Sequence, residues 1–408
     1  MAKAKKSRKA PKAKKTQTAV AARKKTAKKG KESTKKSAKR IVKKTAKKKA
    51  AKKILEKEKL GDGIMNIADI MFETGVAISR NCCMVIGENE GERFSRNSRF
   101  CLYKADRSPL WQCFQLEAII ASSAVFRNKT DDMTFAALDE EGVVYLMPMN
   151  GEADSERLPG AGVGFDDAGF DDADGRGMMN RLVSSDDVLY ACGCGGQIFQ
   201  RVAPGSWIHC DDGLLEDPLD SESQDITIEA LGCRNGKLLY AGGWIDDLTD
   251  GFIAKNNGGK WTIIVRGVHE INDIHIAKNG TVWACGGDGT LLRSTDGETF
   301  TDVSGIHDNE FLSVADEQCE GTDGNQFLSV AEYHGVIYLA TDEGLRAFDG
   351  KRISPVDMGL DPDYAGGNVL QVVDDHLWSF GHRDIARFDG ERWERIAFPG
   401  NEQSGDES

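Results

Sequence analysis

The sequence has no apolar run that approaches the roughly 18–20 residues of a transmembrane helix, and no apolar core of about 7–15 residues follows its basic N-terminus. We therefore expect neither a membrane-spanning protein nor a secretory signal. The N-terminal segment is rich in lysine and alanine with little apolar periodicity, which also disfavours a mitochondrial presequence. These absences predict a cytoplasmic protein, associated with the nucleoid in a bacterium or with the nucleus in a eukaryote.

Catalytic and cofactor motifs are also missing. There is no Gly-x-x-x-x-Gly-Lys-Ser/Thr, Gly-x-Gly-x-x-Gly, Gly-x-Ser-x-Gly or His-Glu-x-x-His. The ten cysteines include the pairs Cys82-Cys83 and Cys192-Gly193-Cys194, but neither spacing fits the two Cys-x-x-Cys pairs of a structural zinc site. We expect free thiols that pack as small hydrophobic side chains. The sequence predicts no catalytic residue, no metal and no cofactor, and it does not favour an enzyme.

Charge is distributed very unevenly along the chain. The formal net charge of the 408 residues is −12. Residues 1–60 contain 27 Lys and Arg residues against three acidic residues, a net charge of +24, whereas the remaining 348 residues have a net charge of −36. One chain therefore joins two parts of opposite charge, and the average describes neither of them.

Residues 1–59 consist almost wholly of Lys, Ala, Ser, Thr and Arg, so they cannot bury enough apolar surface to offset their ordering entropy. We predict a disordered basic arm. Its composition resembles the C-terminal tail of a linker histone, which implies phosphate contact without sequence selectivity. High positive charge favours nucleic acid, and we expect DNA ahead of RNA because no aromatic residue is available to stack on single-stranded bases. The residues expected to contact phosphates are Lys5, Lys6, Lys14, Lys15, Arg23, Lys24, Lys25, Lys28, Lys29, Lys35, Lys36, Lys43, Lys44, Lys47, Lys48 and Lys49.

Other functions of the arm stay open at this point. A basic segment of this kind can also contact an anionic membrane, serve as an import signal, or act as a solubilising tail without a specific partner.

The acidic part of the chain contains a repeat. Pairs of an aliphatic and an aromatic residue followed by small residues recur, with the aromatic anchor at Tyr145, Tyr190, Tyr240, Trp283, Tyr338 and Trp378 and spacings of 45, 50, 43, 55 and 40 residues. A weaker copy, Met84-Val85-Ile86-Gly87, precedes them. A period of about 40–55 residues with short apolar strands is typical of propeller blades. We predict an all-β fold, a seven-bladed β-propeller over residues 76–398, preceded by the basic arm (1–59) and a connector (60–75) and followed by an acidic polar tail (399–408).

Two blades can be divided into strands. In the fifth blade we predict strands at 271–277, 281–285, 290–293 and 299–303, separated by Asn-Gly and Asp-Gly turns that tolerate positive φ. In the last blade we predict strands at 369–373, 377–380, 385–388 and 393–396.

Residues 293–300, Arg-Ser-Thr-Asp-Gly-Glu-Thr-Phe, resemble the Asp-box of sialidase-type BNR propellers. Ser294, Asp296, Thr299 and Phe300 fill the motif, with one residue missing between the aspartate and the threonine. The resemblance implies a structural role, in which the aspartate caps the hairpin amides and the aromatic residue packs between blades. Further degenerate copies lie at 257–261 and 389–393. Sialidases use three arginines to bind a carboxylate, and no arginine of this sequence lies in a matching local motif, which disfavours a sialidase. The sequence also resembles the photosystem II assembly factor type of propeller. That family acts beyond an export step, and the sequence shows no export signal.

An acidic segment, 164–175, contains a near-duplication of Gly-Phe-Asp-Asp-Ala. A calcium loop would need an aspartate where Phe170 stands. The alternatives are a solvated loop and a segment that competes with nucleic acid for the basic arm.

The combined features predict a non-enzymatic interaction protein that is a monomer. Its propeller binds a protein partner, and its arm binds nucleic acid. We expect the partner to be basic if the exposed surface of the propeller is as acidic as its composition. The alternative is a propeller hydrolase or lyase with its site at the central channel. The two differ in whether the inner strands bring His, Glu or Arg side chains together at one mouth of the channel.

Overall fold

The computed structural model describes residues 70–89, 97–162, 176–215, 225–304, 326–364 and 366–399. These residues form 28 strands in seven sheets and no helix. The predicted all-β, seven-bladed propeller is confirmed. The predicted basic arm, most of the predicted connector and nearly all of the C-terminal tail lie outside the described residues.

The first four blades occupy the described residues up to 268. Blade 1 contains β1 (Ile70–Ser79), β2 (Cys82–Asn89), β3 (Ser98–Lys104) and β4 (Trp111–Leu116). Blade 2 contains β5 (Ile120–Arg127), β6 (Met133–Asp139), β7 (Val143–Pro148) and β8 (Asp154–Arg157). Blade 3 contains β9 (Met179–Ser185), β10 (Val188–Gly193), β11 (Ile198–Ala203) and β12 (Ser206–His209). Blade 4 contains β13 (Ile226–Arg234), β14 (Lys237–Ile245), β15 (Asp247–Asn257) and β16 (Lys260–Val268).

The last three blades complete the ring. Blade 5 contains β17 (Ile271–Ile276), β18 (Val282–Gly286), β19 (Leu291–Ser294) and β20 (Thr301–Asp302). Blade 6 contains β21 (Ser329–Tyr333), β22 (Val336–Thr341), β23 (Gly344–Phe348) and β24 (Ile353–Pro355). Blade 7 contains β25 (Val369–Val373), β26 (His376–Phe380), β27 (Ile385–Phe388) and β28 (Trp393–Arg395). The strands predicted for blades 5 and 7 match these bounds to within two residues.

Each blade is a continuous segment whose four strands pair antiparallel in chain order. The first strand of each blade is the innermost, and every inner strand contacts the inner strands of both neighbouring blades, including β1 with β25. The ring therefore closes without exchange of a strand between blades, and closure depends on side-chain packing.

The inner strands run in the same direction, which gives the propeller two distinct faces. At the face where they begin, Phe72 N donates to His382 O at 2.6 Å and Met179 N donates to Glu140 O at 2.9 Å. We call this the upper face; it also carries the turns between second and third strands and the ends of the outer strands. At the opposite, lower face lie the first-to-second and third-to-fourth turns, where Arg80 N donates to Asp374 Oδ2 at 3.1 Å.

A glycine three residues after the repeat anchor explains the small-residue part of the repeat. It ends or nearly ends the second strand, where a bulged inner strand passes so closely that a Cβ would overlap a backbone carbonyl oxygen. The position is filled by Gly87, Gly193, Gly243, Gly286 and Gly381. Blade 2 departs from the sequence prediction here. Its second strand is β6, with Ala136 in the anchor position, and Tyr145 lies on the third strand, because an aromatic residue of a buried third strand produces the same local pattern.

The first strand also begins earlier than the predicted boundary at residue 76. β1 starts at Ile70, and Ile70 and Phe72 are buried in the cluster that joins blades 1 and 7. Phe398 packs edge-on against Phe72, with ring centroids 5.1 Å apart, and Trp111 Nε1 donates to Ala397 O at 2.8 Å. The two ends of the propeller are thus joined by aromatic packing.

The expectation that all cysteines are free thiols is wrong for one pair. Cys101 on β3 and Cys113 on β4 are direct cross-strand partners, with Cα atoms 4.1 Å apart, and they form a disulfide. Seven other cysteines are free, and their burial raises the pKa of the Cys83, Cys192 and Cys285 thiols well above the ordinary value, as expected for packing residues. Cys319 lies outside the described residues.

Candidate functional site

The inner strands of blades 3, 4 and 5 bring charged side chains together in the central channel. Arg181 on β9 pairs with Asp273 on β17 at 2.9 Å, across the strand β13 that lies between them. The same guanidinium donates to Asn272 O at 3.2 Å. Both side chains are about one-fifth exposed, so water does not fully screen the pair.

The carboxylate of Asp273 is satisfied on both oxygens. Besides the bond to Arg181, Oδ1 accepts from the backbone N of Ile274 at 3.0 Å, and Oδ2 accepts from Ser329 Oγ at 2.7 Å and from Val330 N at 3.0 Å. This one carboxylate therefore connects blades 3, 5 and 6 around the channel.

Glu229 on β13 is the second acidic side chain of the channel. Its Oε1 accepts from Asn180 Nδ2 at 2.8 Å. Burial raises the pKa of Glu229 to about 7, and the positive charge of Arg181 offsets this only in part. Burial also lowers the pKa of His275, which stands on β17 near Asp273 and Glu332. The polar channel cluster consists of Asn180, Arg181, Glu229, Asp273, His275 and Ser329.

The cluster bears on the choice between an interaction protein and an enzyme. The channel does bring Arg, Glu and His side chains together, which is the feature the enzymatic alternative requires. However, Asp273 already binds four donors, and no described hydrogen bond joins His275 to a hydroxyl nucleophile. The hydroxyl of Ser329 donates to Asp273 instead. Among the residues the structure describes, no group of three or more His, Cys, Asp or Glu side chains could hold a metal ion.

The upper and lower faces differ in their charged residues. All seven lysines of the described propeller are located at or next to turns of the lower face, where they alternate with acidic residues; they are Lys104, Lys129, Lys237, Lys255, Lys260, Lys278 and Lys351. The upper face has no lysine among the described residues, and Arg266 and Arg383 are its exposed arginines. Its exposed acidic residues are Glu117, Asp212, Asp225, Asp246, Asp247, Asp288, Asp302, Glu343, Asp357, Asp361 and Asp363.

The connectors 163–175, 216–224 and 305–325, which follow outer strands and precede inner strands, begin and end at upper-face residues. They contain 15 acidic residues and no lysine or arginine, although they lie outside the described residues. This includes almost all of the acidic segment 164–175, so the calcium and competition alternatives concern residues that the structure does not describe.

The lower face has a cavity at the seam between blades 7 and 1. Three arginines line it, but Arg387 pairs with Glu394 at 2.8 Å and Arg392 lies 3.9 Å from Asp389. The cavity is therefore close to electrically balanced, and it offers no concentrated charge to a ligand.

The sequence-predicted Asp-box residues form a compact hairpin on blade 5. Asp296 Oδ1 accepts from the backbone N of Glu298 and Thr299 at 2.8 Å each and lies 3.0 Å from Ser294 Oγ. Phe300 makes an edge-on contact with Tyr240 of blade 4, with centroids 6.2 Å apart. The geometry suits the structural role implied by the resemblance, while membership of the BNR type stays a prediction.

The polar channel cluster was not predicted from the sequence. Arg181, Glu229 and Asp273 are each a charged residue inside an inner strand, and a charged residue at that place is the signal that could have been followed. The 16 lysines and arginines predicted to bind nucleic acid lie outside the described residues.

Seven four-stranded sheets closed around a channel define the class of this protein as a β-propeller. The extracellular domain of a hybrid two-component system from B. thetaiotaomicron has the same fold, with a TM-score of 0.53, 10% identity, and coverage of 79% of this chain and 39% of that one. The WD40 propeller domain of Doa1 is also similar, with a TM-score of 0.48, 10% identity, and coverage of 78% of this chain and 92% of that one. A TM-score below 0.5 is too low to support a conclusion. At such identities the likeness concerns the fold alone.

One sequence relative is more informative. The immune protein Tsi7 of Pseudomonas aeruginosa is 30% identical over 278 residues, which cover 68% of this chain and 79% of that protein. The chain belongs to the family of Tsi7. No protein-family model matches it. In the part of the chain that the structure describes, no helix is long and apolar enough to cross a membrane.

Proposed function

We propose that this protein is an immunity protein that binds and neutralises a basic toxin protein on the upper face of its propeller. The observation that carries the proposal is the absence of lysine from the described upper face, combined with the concentration of exposed carboxylates there. A surface with an excess of one charge sign accelerates association with a partner of opposite sign and opposes the wrong partners. The family relative with the name immune protein supports the same function.

The test begins with capture on the immobilised full chain from a lysate of the source organism, with and without nuclease. The expected partner is a basic protein that is retained after nuclease treatment and arrests growth when expressed alone, and co-expression of this chain restores growth. A zero-length carboxylate-to-amine crosslinker should join partner lysines to upper-face residues such as Asp288 and Glu343. Lack of growth protection contradicts the immunity function, and crosslinks confined to the lower-face carboxylates contradict the assignment of the face.

The enzymatic alternative rests on the polar channel cluster. A hydrolase or lyase would need the cluster for turnover, whereas an immunity protein needs it only for stability. Glu229→Gln and His275→Asn should therefore leave growth protection unchanged at equal protein levels. Loss of protection with retained partner binding would favour the enzyme.

Nucleic-acid binding by residues 1–59 is the second part of the proposal, and the net charge of +24 over residues 1–60 supports it. If about ten phosphates are neutralised, log K for duplex DNA should fall with log[salt] at a slope of roughly −9. A chain that begins at residue 61 is the control and should lose this binding. Equal DNA binding by both chains would contradict the role of the arm.

A further inference from the structure

Three of the seven large apolar side chains that are exposed among the described residues belong to one sector of the upper face. Met178, Leu215 and Leu248 are 43%, 37% and 53% exposed, and all three belong to upper-face segments of blades 3 and 4. Met178 immediately precedes β9, Leu215 follows β12, and Leu248 lies at the second-to-third turn of blade 4. Apolar side chains held in water on an otherwise polar face are typical of an interaction site.

Backbone hydrogen bonds hold these three residues in place. Met178 O accepts from Cys194 N at 2.9 Å, and Leu248 O accepts from Glu270 N at 2.8 Å. Leu215 N donates to Asp211 O at 3.0 Å. The backbone that carries these side chains is therefore already ordered, so little backbone entropy is lost when a partner binds.

Four exposed aspartates belong to the same upper-face segments of blades 3 and 4: Asp212, Asp225, Asp246 and Asp247. Asp225 N donates to Asp246 Oδ1 at 3.0 Å and Asp246 N donates to Asp225 O at 2.8 Å, which fixes the Asp246 carboxylate against the backbone of Asp225. None of the four forms a salt bridge with a described Lys, Arg or His side chain, whereas nearby Asp250 pairs with Arg266 at 2.7 Å. Asp247 Oδ1 also accepts from Thr249 N at 2.8 Å and from Thr249 Oγ1 at 2.6 Å. Asp246 and Asp247 are thus hydrogen-bonded within the protein, but their negative charges are not neutralised by an ion pair with a described side chain.

We infer that Met178, Leu215 and Leu248, with Asp212, Asp225, Asp246 and Asp247, form the docking patch for a basic, amphipathic segment of the protein partner. This inference rests on the proposed function and names the chemistry of its contact. Apolar side chains of the partner segment pack on the three apolar residues, and its Lys or Arg side chains pair with the four aspartates. An apolar centre with a charged rim is the usual arrangement of a protein interface.

Other occupants fit the patch less well. A nucleic acid is repelled by four unpaired carboxylates. A second copy of this chain, docked through the same patch about a two-fold axis, would place these carboxylates against one another. A basic protein segment satisfies both the apolar and the charged residues.

The experiment uses the full chain and two synthetic peptides, one of alternating leucine and lysine pairs and one in which serine replaces leucine. Affinity is measured by calorimetry at physiological salt, and hydrogen exchange locates the bound peptide. We expect the leucine–lysine peptide to bind at least tenfold more tightly than the serine–lysine peptide and to protect amides near residues 178, 215 and 248.

Two triple variants test the two halves of the patch. Met178→Ser/Leu215→Ser/Leu248→Ser and Asp225→Asn/Asp246→Asn/Asp247→Asn should each weaken the leucine–lysine peptide at least tenfold. The matched controls, Leu110→Ser/Val202→Ser/Ile208→Ser and Asp357→Asn/Asp361→Asn/Asp363→Asn, should change affinity less than twofold.

Three results would overturn the inference: equal binding of both peptides, an equal effect of the control variants, or a dimer in the ultracentrifuge that the patch variants convert to monomer. These measurements need no toxin. If the peptides do not bind as expected, the growth-protection result is unaffected. If the protein has no toxin partner, the peptide measurements can still show that the patch binds a basic amphipathic segment.

Discussion

Single carboxylates determine several turns of this propeller. Asp296, Asp349 and Asp389 each accept two backbone amides within third-to-fourth hairpins, at distances of 2.8–2.9 Å. These bonds hold the pKa of all three carboxyls below the ordinary value, because they stabilise the ionised form. Such aspartates serve the local fold, so their exposure does not by itself indicate a ligand. On the upper face Asp247 is of the same kind, because its Oδ1 accepts from Thr249 N at 2.8 Å and from Thr249 Oγ1 at 2.6 Å, and these bonds lower its pKa. The aspartates of blades 3 and 4 are therefore set apart by their place beside exposed apolar side chains, and not by exposure alone.

At the residue scale, Glu229→Gln should change the pH dependence of stability. The pKa of Glu229 is about 7 in the folded protein and 4.5 ordinarily, so the folded state binds the extra proton between these values. Stability is therefore lost as pH rises through this window, by up to about 3 kcal/mol at 1.36 kcal/mol per pKa unit. Glutamine removes this loss. The free energy of unfolding, from urea titrations at pH 5 and pH 8, should fall less for the variant than for the wild type.

The control for this experiment is internal to the protein. Burial also raises the pKa of Asp139 to about 7, so both proteins keep that contribution and only the difference between them reports on Glu229. The same loss of stability in wild type and variant would show that Glu229 is not desolvated.

Neighbouring blades are held together by contacts between strands of different sheets. Glu156 on β8 accepts from Arg201 Nε at 2.8 Å, Arg201 Nη2 at 2.7 Å, Gly205 N at 2.6 Å and Trp207 Nε1 at 2.8 Å. The side chains of Glu156 and Arg201 are 4% and 12% exposed. One buried carboxylate thus joins the outer strand of blade 2 to the two outer strands of blade 3.

At the element scale, Glu156→Ala should be strongly destabilising. It leaves the Arg201 guanidinium buried without its partner, which typically costs about 3–5 kcal/mol. The matched control is Glu394→Ala, which removes the partner of Arg387 at a carboxylate that is 55% exposed, where about 0–1 kcal/mol is expected. Urea denaturation measures both. Equal destabilisation by the two variants would contradict the special role of the buried pair.

The molecule as a whole is a ring whose closure depends on packing. No strand of blade 1 is contributed by the C-terminal end of the described chain, and the joint instead consists of Phe72, Trp111, Trp378 and Phe398 with their neighbours. Phe398 is 4% exposed and lies edge-on to both Phe72 and Trp111. Phe398 follows the last strand of blade 7, so the C-terminal end of the propeller packs against blade 1.

At the scale of the whole molecule, Phe398→Ala should destabilise the entire propeller. Loss of a buried phenylalanine costs about 3–5 kcal/mol, and the ring should unfold in one transition at lower urea concentration. Tryptophan fluorescence and far-UV circular dichroism should report the same midpoint. Leu110→Ala, at a side chain that is 47% exposed, should change stability by less than about 0.5 kcal/mol. A midpoint for Phe398→Ala close to that of Leu110→Ala would mean that the joint does not stabilise the ring.

Much of the fold could be predicted because its signals are local. Each blade contains short apolar strands and Asn-Gly or Asp-Gly hairpin turns, and the pattern recurs every 40–55 residues. The number of blades and the strands of blades 5 and 7 follow from these signals. The anchor of blade 2 was misplaced because Tyr145 on a buried third strand imitates a second-strand anchor. The disulfide between Cys101 and Cys113 was not predicted, because its geometry depends on strand register that spacing alone does not give.

The sequence by itself determined the blade count, the order of the strands and the opposite charges of residues 1–60 and 61–408, since each depends on neighbours along the chain. Only the tertiary structure decided that lysines share the lower face, that carboxylates and three apolar side chains share a sector of the upper face, and that Arg181 meets Asp273 across blade 4. Those arrangements join residues from different blades. A face exists only when the seven inner strands run in one direction, and that requires the closed ring.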